Sequence, residues 1–168
     1  TDVRIDEAVD PHAVRAQGAK AMKLLVIHRP DGDPQARRAM VEDFVGRCRS
    51  AGLVSIIEPI CKAPRDGRAW DWDGEVIAAA RELGDLGADL YKAEVPYHGQ
   101  ADEATVKAAC AQMTDVITSP WVVLSSGVPA EIFPTAVKWA CEEGASGFLA
   151  GRAVWASTLG SDDIEREL

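Results

Sequence analysis

The chain has 168 residues, of which 47% are hydrophobic and 27% charged, a composition typical of a folded globular domain and not of a disordered segment. It carries 18 Lys and Arg residues against 27 Asp and Glu residues, and the net charge of −9 disfavours binding to nucleic acid or to anionic membrane surfaces. The longest apolar runs, 24–27 and 121–124, are far shorter than the roughly 20 residues needed to span a bilayer. We therefore expect one domain over residues 1–168, without membrane insertion.

Four cysteines lie far apart in the sequence, without a C-x-x-C pair and without a histidine at metal-ligand spacing. They are Cys48, Cys61, Cys110 and Cys141. This pattern predicts reduced thiols in a cytoplasmic protein that holds no metal at these positions.

Short apolar runs alternate with longer amphipathic stretches along the chain, which predicts βα units around a parallel sheet. The five predicted strands are 21–27, 53–60, 88–95, 121–124 and 147–150. The predicted helices between them are 34–49, 73–83, 103–113 and 132–141. Asp33 followed by Pro34 is a typical helix start, and Gly52 is a typical stop. The one long connection, 61–72, follows a strand directly, where α/β folds place functional loops.

Charged residues interrupt three of the predicted strands. Lys23, Glu58 and Lys92 lie on successive strands, and Glu94 follows two residues after Lys92. Because strand side chains alternate between faces, Lys92 and Glu94 are expected on one face of the sheet. If that face is the interior of a barrel, the two lysines and Glu58 converge in one pocket of low dielectric constant.

Such a convergence is the arrangement of a Schiff-base enzyme. A lysine must be neutral to attack a carbonyl, and a second ammonium group together with desolvation favours its neutral form. A neighbouring carboxyl group can then transfer the protons that the reaction requires. From the residues alone, a purely structural Lys-Glu-Lys ion cluster is an equally good interpretation.

The last two predicted strands each end in a glycine that directly precedes helical sequence. Glycine lets backbone N–H groups approach a ligand, and hydroxyl and guanidinium groups suit phosphate oxygens. The candidate phosphate-binding residues are Ser125, Ser126, Gly127, Gly151 and Arg152. Two tight turns with an incidental arginine are the alternative.

Two histidines follow the ends of predicted strands and are candidates for the mouth of the site. They are His28 and His98, of which His98 is the better candidate for a proton relay because it lies six residues after Lys92. A histidine in a surface loop is the alternative interpretation for each.

Four segments carry a resemblance to a known family. They are VSIIEP (54–59), GADLYKAEVP (87–96), WVVLSSGV (121–128) and GASGFLAGRAVW (144–155). Together they resemble the class I aldolases of the tagatose 1,6-bisphosphate aldolase family. The branch they resemble most cleaves 6-deoxy-6-sulfofructose 1-phosphate.

The resemblance implies an α/β fold of the (β/α)8 barrel type, of which this chain would cover about strands 4 to 8, without a counterpart of the N-terminal strands. It implies that Lys92 forms a Schiff base with the ketose carbonyl and that Glu58 and Lys23 are its acidic and basic partners. The residues that match the family's phosphate cradle are Ser125, Gly127, Gly151 and Arg152. It also implies a phosphorylated ketose as substrate, no metal or other cofactor, and a homo-oligomer.

Other functions remain open on the sequence. One is a deoxyribose-phosphate-type aldolase on the same barrel, which would release acetaldehyde. Another is a non-catalytic fragment that binds phosphosugars. The sequence also leaves open whether the distal end of the substrate carries a phosphate or a sulfonate, for which Arg65 and Arg68 in the long loop are candidate contacts.

Overall fold

The protein is described here by a computed structural model that covers residues 3–151. Its centre is one four-stranded parallel sheet with the strand order β1-β2-β3-β4. The strands are β1 (Ala21–His28), β2 (Val54–Cys61), β3 (Leu90–Ala93) and β4 (Trp121–Val123). Strands adjacent in sequence are therefore adjacent in space, as in successive βα units of a barrel.

A short helix precedes β1, and a longer helix follows each of the four strands, as the sequence predicts. They are α1 (Pro11–Ala16), α2 (Pro34–Ala51), α3 (Trp72–Leu83), α4 (Glu103–Thr114) and α5 (Phe133–Glu142), with a short 3-10 helix at Pro96–Gly99. The predicted start of α2 is confirmed, because the Asp33 carboxylate accepts hydrogen bonds from the backbone N–H groups of residues 35 and 36. Gly52 ends the helix with a φ of 68°, a conformation in which glycine is favoured.

Two strands differ from the sequence prediction: the fifth is not formed, and the third is Leu90–Ala93 instead of 88–95. The sequence also did not predict the 3-10 helix at Pro96–Gly99. Residues 147–150 do not form a strand; they follow the edge of β4 through a single parallel bridge between Val123 and Phe148. The Val123 N–H donates to the carbonyl of Gly147 at 3.0 Å, and the Leu149 N–H donates back to Val123 at 2.9 Å. Gly147 has a φ of 141°, so the backbone is not in the strand conformation at the first residue of the predicted strand.

The two faces of the sheet have different environments. Leu24, Val26, Ile57 and Tyr91 point toward the helices and are almost fully buried. The alternate positions point to the opposite face, which the described residues leave partly open: Leu25, Val54 and Leu149 are each between 37% and 45% exposed. This open face is the one that carries the charged strand residues.

All four cysteines are free thiols, and three of them are buried. Within residues 3–151, no helix has both the length and the apolar character needed to cross a membrane.

Candidate active site

The structure brings the three predicted strand charges together on the open face of the sheet. Lys23 on β1 and Lys92 on β3 both contact the carboxylate of Glu58 on β2, which lies between them. The Lys92 Nζ lies 3.3 Å from Glu58 Oε2, and Lys23 donates to the same oxygen. One carboxylate oxygen is thus shared by two ammonium groups from the two flanking strands.

Solvent access distinguishes the two lysines. The Lys92 side chain is 17% exposed and that of Glu58 is 11% exposed, whereas the Lys23 side chain is 44% exposed. Lys92 is thus the lysine of this pair that is more shielded from solvent. Glu58 is close enough to accept a proton from Lys92 or to return one.

A cleft of about 440 Å³ opens directly above this pair. Its polar lining consists of Glu58, Lys62, Lys92, Ser125 and Ser126, with Gly151 at its edge. The sequence candidates that line this one cavity are therefore Glu58, Lys92, Ser125, Ser126 and Gly151. Lys23 contacts Glu58 but is not part of the cleft lining. Lys62 is an addition that the sequence analysis missed; its signal is its position as the first residue after β2.

The predicted phosphate loop is only partly inside the cleft. Ser125 and Ser126 line it, while Gly127 has a φ of 75° and lies against the imidazole of His98. A Cβ at position 127 would overlap with His98 Cδ2 and Nε2, so this close approach requires glycine. Arg152 lies outside the described residues.

His98 connects three loops at the carboxyl ends of the strands and does not line the cleft. Its ring stacks on the indole of Trp72, with 3.8 Å between the ring centroids and an interplanar angle of 14°. Burial lowers the pKa of His98, with an opposing effect from Asp73. Its backbone φ of 49° and that of Tyr97, 56°, are both in the left-handed region, which is strained for residues other than glycine.

His28 lies on the opposite side of the sheet from the cleft, so the prediction that it could line the mouth of the site is wrong. It is 3% exposed because its position on β1 has the same parity as Leu24 and Val26, which face the helices. Its Nε2 lies 3.2 Å from the carboxylate of Glu82. Its Nδ1 lies 3.1 Å from Glu75 Oε2 without the geometry of a hydrogen bond.

A second cleft of about 310 Å³ adjoins the first, since Ile27 lines both. Arg29, Arg37 and Arg65 contribute to its lining, so the structure places Arg65 beside the candidate site. Arg68 is not part of this lining; it is exposed and lies 3.6 Å from Asp66. Among residues 3–151, no three His, Cys, Asp or Glu side chains are grouped as a metal site would need.

The chain is similar in sequence to bacterial sugar-phosphate aldolases. Tagatose 1,6-diphosphate aldolase 1 of Streptococcus mutans is 29% identical over 177 residues, covering 91% of this chain and 54% of that protein. Tagatose 1,6-diphosphate aldolase of Listeria monocytogenes is 26% identical over 170 residues, covering 87% of this chain and 50% of that protein. The chain thus spans about half the length of the curated relatives it matches.

Solved structures show the same fold. A crystal structure of an archaeal fructose 1,6-bisphosphate aldolase aligns with a TM-score of 0.66 at 20% identity, over 99% of this chain and 60% of that one. A fructose-bisphosphate aldolase from Slackia heliotrinireducens aligns with a TM-score of 0.64 at 22% identity, over 92% of this chain and 54% of that one. At these identities the likeness establishes only the fold. This is the parallel α/β fold of aldolase barrels, and the chain corresponds to a part of such a barrel.

The sequence pattern of one family covers nearly the whole chain: the DeoC/LacD family aldolase pattern matches residues 2–157. The shared cleft and the parallel α/β fold agree with this match. The chain therefore belongs to the DeoC/LacD family of aldolases.

Proposed function

We propose that the chain carries the active site of a class I aldolase that cleaves a ketose 1-phosphate to dihydroxyacetone phosphate and a three-carbon aldehyde. The observation that supports this most is the contact of Lys92 with Glu58, 3.3 Å apart, at the base of a cleft lined by Ser125 and Ser126. A purely structural ion cluster would not need a cavity above it.

In the proposed mechanism, the neutral Nζ of Lys92 attacks the ketose C2 carbonyl to give a carbinolamine. Glu58 donates a proton to the departing hydroxyl, and loss of water leaves an iminium ion that withdraws electrons from C3. The ionised Glu58 carboxylate then accepts the proton of the C4 hydroxyl as the C3–C4 bond breaks, which releases the aldehyde and leaves an enamine on Lys92. Protonation at C3 and hydrolysis return free Lys92 and dihydroxyacetone phosphate.

Lys23 has a supporting role in this proposal. Its ammonium group holds the Glu58 carboxylate from the side opposite Lys92, which fixes the orientation of the carboxylate.

The phosphate of the dihydroxyacetone half would be bound at the far side of the cleft. Ser125 and Ser126 line the cleft and would donate from their hydroxyl groups, and Gly127, Gly151 and Arg152 would complete the cradle.

The distal end of the substrate would carry a phosphate or a sulfonate, as in tagatose 1,6-bisphosphate or 6-deoxy-6-sulfofructose 1-phosphate. Lys62 in the main cleft and Arg65 in the adjoining one would contact this anion. The proposal further includes action without a metal or other cofactor, in a cytoplasmic homo-oligomer.

An assay of the full-length protein that contains this chain tests the proposal. Sulfofructose 1-phosphate, tagatose 1,6-bisphosphate and fructose 1,6-bisphosphate would be compared in the presence of a chelator, with dihydroxyacetone phosphate as the measured product. We expect cleavage of at least one of them, abolished by Lys92→Arg and unaffected by Lys138→Arg, which alters an exposed lysine on α5. Activity lost on chelation would contradict the metal-independent mechanism, and release of acetaldehyde from deoxyribose 5-phosphate would favour the alternative aldolase.

A further inference from the structure

Strands β2 and β3 pair over only two positions before they separate. The paired residues are Ile56 with Leu90 and Ile57 with Tyr91, although β2 continues to Cys61. Pro59 explains the separation, because proline has no backbone N–H to donate across the strands. The pair of Glu58 and Lys92 lies at this point of separation.

The backbone N–H groups of β2 alternate between its two neighbours. The even-numbered N–H groups point toward β1: the Val54 N–H donates to the carbonyl of Lys20, and the N–H of Lys62, directly after β2, donates to the carbonyl of His28. The odd-numbered ones point toward β3, where the first and last of them are satisfied by side chains. The Ser55 N–H donates to Asp89 Oδ2 at 2.8 Å, and the Cys61 N–H donates to Glu94 Oε2 at 2.7 Å.

The prediction that Glu94 lies on the same face of the sheet as Lys92 is therefore wrong, because its carboxylate binds the Cys61 N–H and does not line the cleft. Strand β3 ends at Ala93, so the strict alternation of faces ends there too, and the Glu94 carboxylate points between the strands. Glu94 is 5% exposed. Burial raises its pKa, while the hydrogen bond from the Cys61 N–H acts in the opposite direction.

We propose that Glu94 is a positioning residue that holds the separated ends of β2 and β3 at the spacing at which Lys92 and Glu58 meet. The inference rests on the proposed function of that pair. Glu94 lies two residues after Lys92, and its acceptor bond ends on Cys61, three residues after Glu58. Pro59 has no N–H group that could donate a hydrogen bond to β3. The hydrogen bond from the Cys61 N–H to Glu94 therefore joins β2 to β3 beside the reacting groups, where backbone pairing is missing.

The contact also determines where the cleft wall lies. Ile60 and Lys62, on either side of Cys61, both line the cleft. Loss of the bond to Cys61 would leave a buried N–H without an acceptor and would allow the end of β2 to move away from β3. A displacement of about 1 Å between a nucleophile and its proton donor can reduce a rate by roughly 10²-fold.

The test uses borohydride trapping of dihydroxyacetone phosphate by the full-length protein, with the rate normalised to folded protein by circular dichroism. Glu94→Met keeps the length of the side chain but removes the oxygen acceptor, and we expect it to trap roughly 10²-fold more slowly. Glu94→Gln keeps an acceptor oxygen and should restore most of the rate. Asp89→Ala is the matched control, because it removes the other carboxylate that bridges β2 and β3, at the end remote from Lys92; it should lower the unfolding midpoint without slowing trapping.

Each outcome has a defined meaning. Equal trapping rates for Glu94→Met and the wild type would overturn the positioning role. A Gln variant as slow as the Met variant would overturn it as well, because the carboxyl group itself would then be required. If the Met variant does not fold, the Gln variant alone decides between these two roles. Absence of trapping in the wild type would instead contradict the proposed function.

Discussion

Glu58 is the residue on which the proposed chemistry depends most closely, since its carboxylate is shared by Lys92 and Lys23. Glu58→Gln keeps the shape of the side chain but cannot transfer a proton. We expect kcat for ketose phosphate cleavage to fall by about 10²- to 10⁴-fold, the usual contribution of a general acid–base group. Steady-state kinetics of the full-length protein measure this.

Glu131→Gln, at an exposed position before α5, is the control and should leave kcat unchanged. A Glu58→Gln variant with nearly wild-type kcat would assign the proton transfers to another group.

The single residues also show why some site predictions succeed from sequence alone. The site could be predicted at Lys23, Glu58 and Lys92, because each is a charged residue in an otherwise apolar strand. Side chains alternate between the two faces along the paired parts of these strands, so all three lie on the same face. The position of Glu94 could not be predicted, because the pairing of β2 with β3 ends at Ile57 and β3 itself ends at Ala93. The left-handed φ values of Tyr97 and His98 have no signal in the sequence either, because tertiary contacts impose them.

At the scale of elements, Gly127 is the point at which the loop after β4 meets the loop after β3. Gly127→Ala would overlap with the His98 imidazole and would also place an alanine at a φ of 75°. We expect the KM for the ketose phosphate to rise by roughly tenfold, because strain of 1–2 kcal/mol displaces the serines beside it. Substrate titration of the full-length variant measures the change.

Two variants separate the overlap from the backbone strain. Gly52→Ala has a similar φ cost, at 68°, but no atom lies within 4 Å of the new methyl group, and the turn before β2 is at the end of the strand remote from the cleft, so KM should not change. Combining Gly127→Ala with His98→Ala should recover part of the lost affinity. No recovery would show that the contact with His98 is irrelevant to the loop.

A second contact between elements joins β1, α2 and α3 behind the sheet. Arg37 binds both oxygens of Glu82 at 2.7 Å, and His28 contacts the same carboxylate. Burial alone would raise the pKa of Glu82, but the hydrogen bonds from Arg37 and His28 lower it from 4.5 to about 2. The ionised carboxylate is thus preferentially stabilised in the folded protein.

Because the folded pKa is the lower one, this contribution is present above about pH 4.5 and is lost as the pH falls toward 2. Glu82→Gln should lower the free energy of unfolding by about 1–2 kcal/mol at pH 7, after allowance for solvent screening. The difference from wild type should shrink between pH 4.5 and pH 2. Urea unfolding at several pH values measures it, with Glu103→Gln, an exposed ion-pair residue, as the control; a difference independent of pH would contradict the account.

The order of the elements was largely predictable, since the apolar periodicity, Asp33-Pro34 and Gly52 locate β1, α2 and β2. The fifth predicted strand was not, because a run of apolar residues does not reveal that Gly147 has a φ of 141°. A short apolar run predicts that a segment lies beside the sheet more reliably than it predicts full hydrogen-bonded pairing with the neighbouring strand.

At the scale of the whole molecule, the open face of the sheet determines how the chain is expected to associate. Leu25, Val54 and Leu149 are exposed on or beside it, and the curated relatives are about twice as long as this chain. We expect residues 1–168 produced alone to self-associate, because an exposed apolar face and an open sheet edge favour pairing between chains. Light scattering would show species larger than the 18.0 kDa chain; a stable monomer with full aldolase activity would contradict this.

The most direct test of the central claim is the site of covalent capture. The full-length protein would be incubated with dihydroxyacetone phosphate and borohydride in the presence of a chelator, digested and analysed by peptide mass spectrometry. The account predicts one reduced adduct, on Lys92, with none on Lys23 or Lys62. An active enzyme that forms no adduct, or forms it on another lysine, would contradict the assignment of Lys92 as the Schiff-base residue.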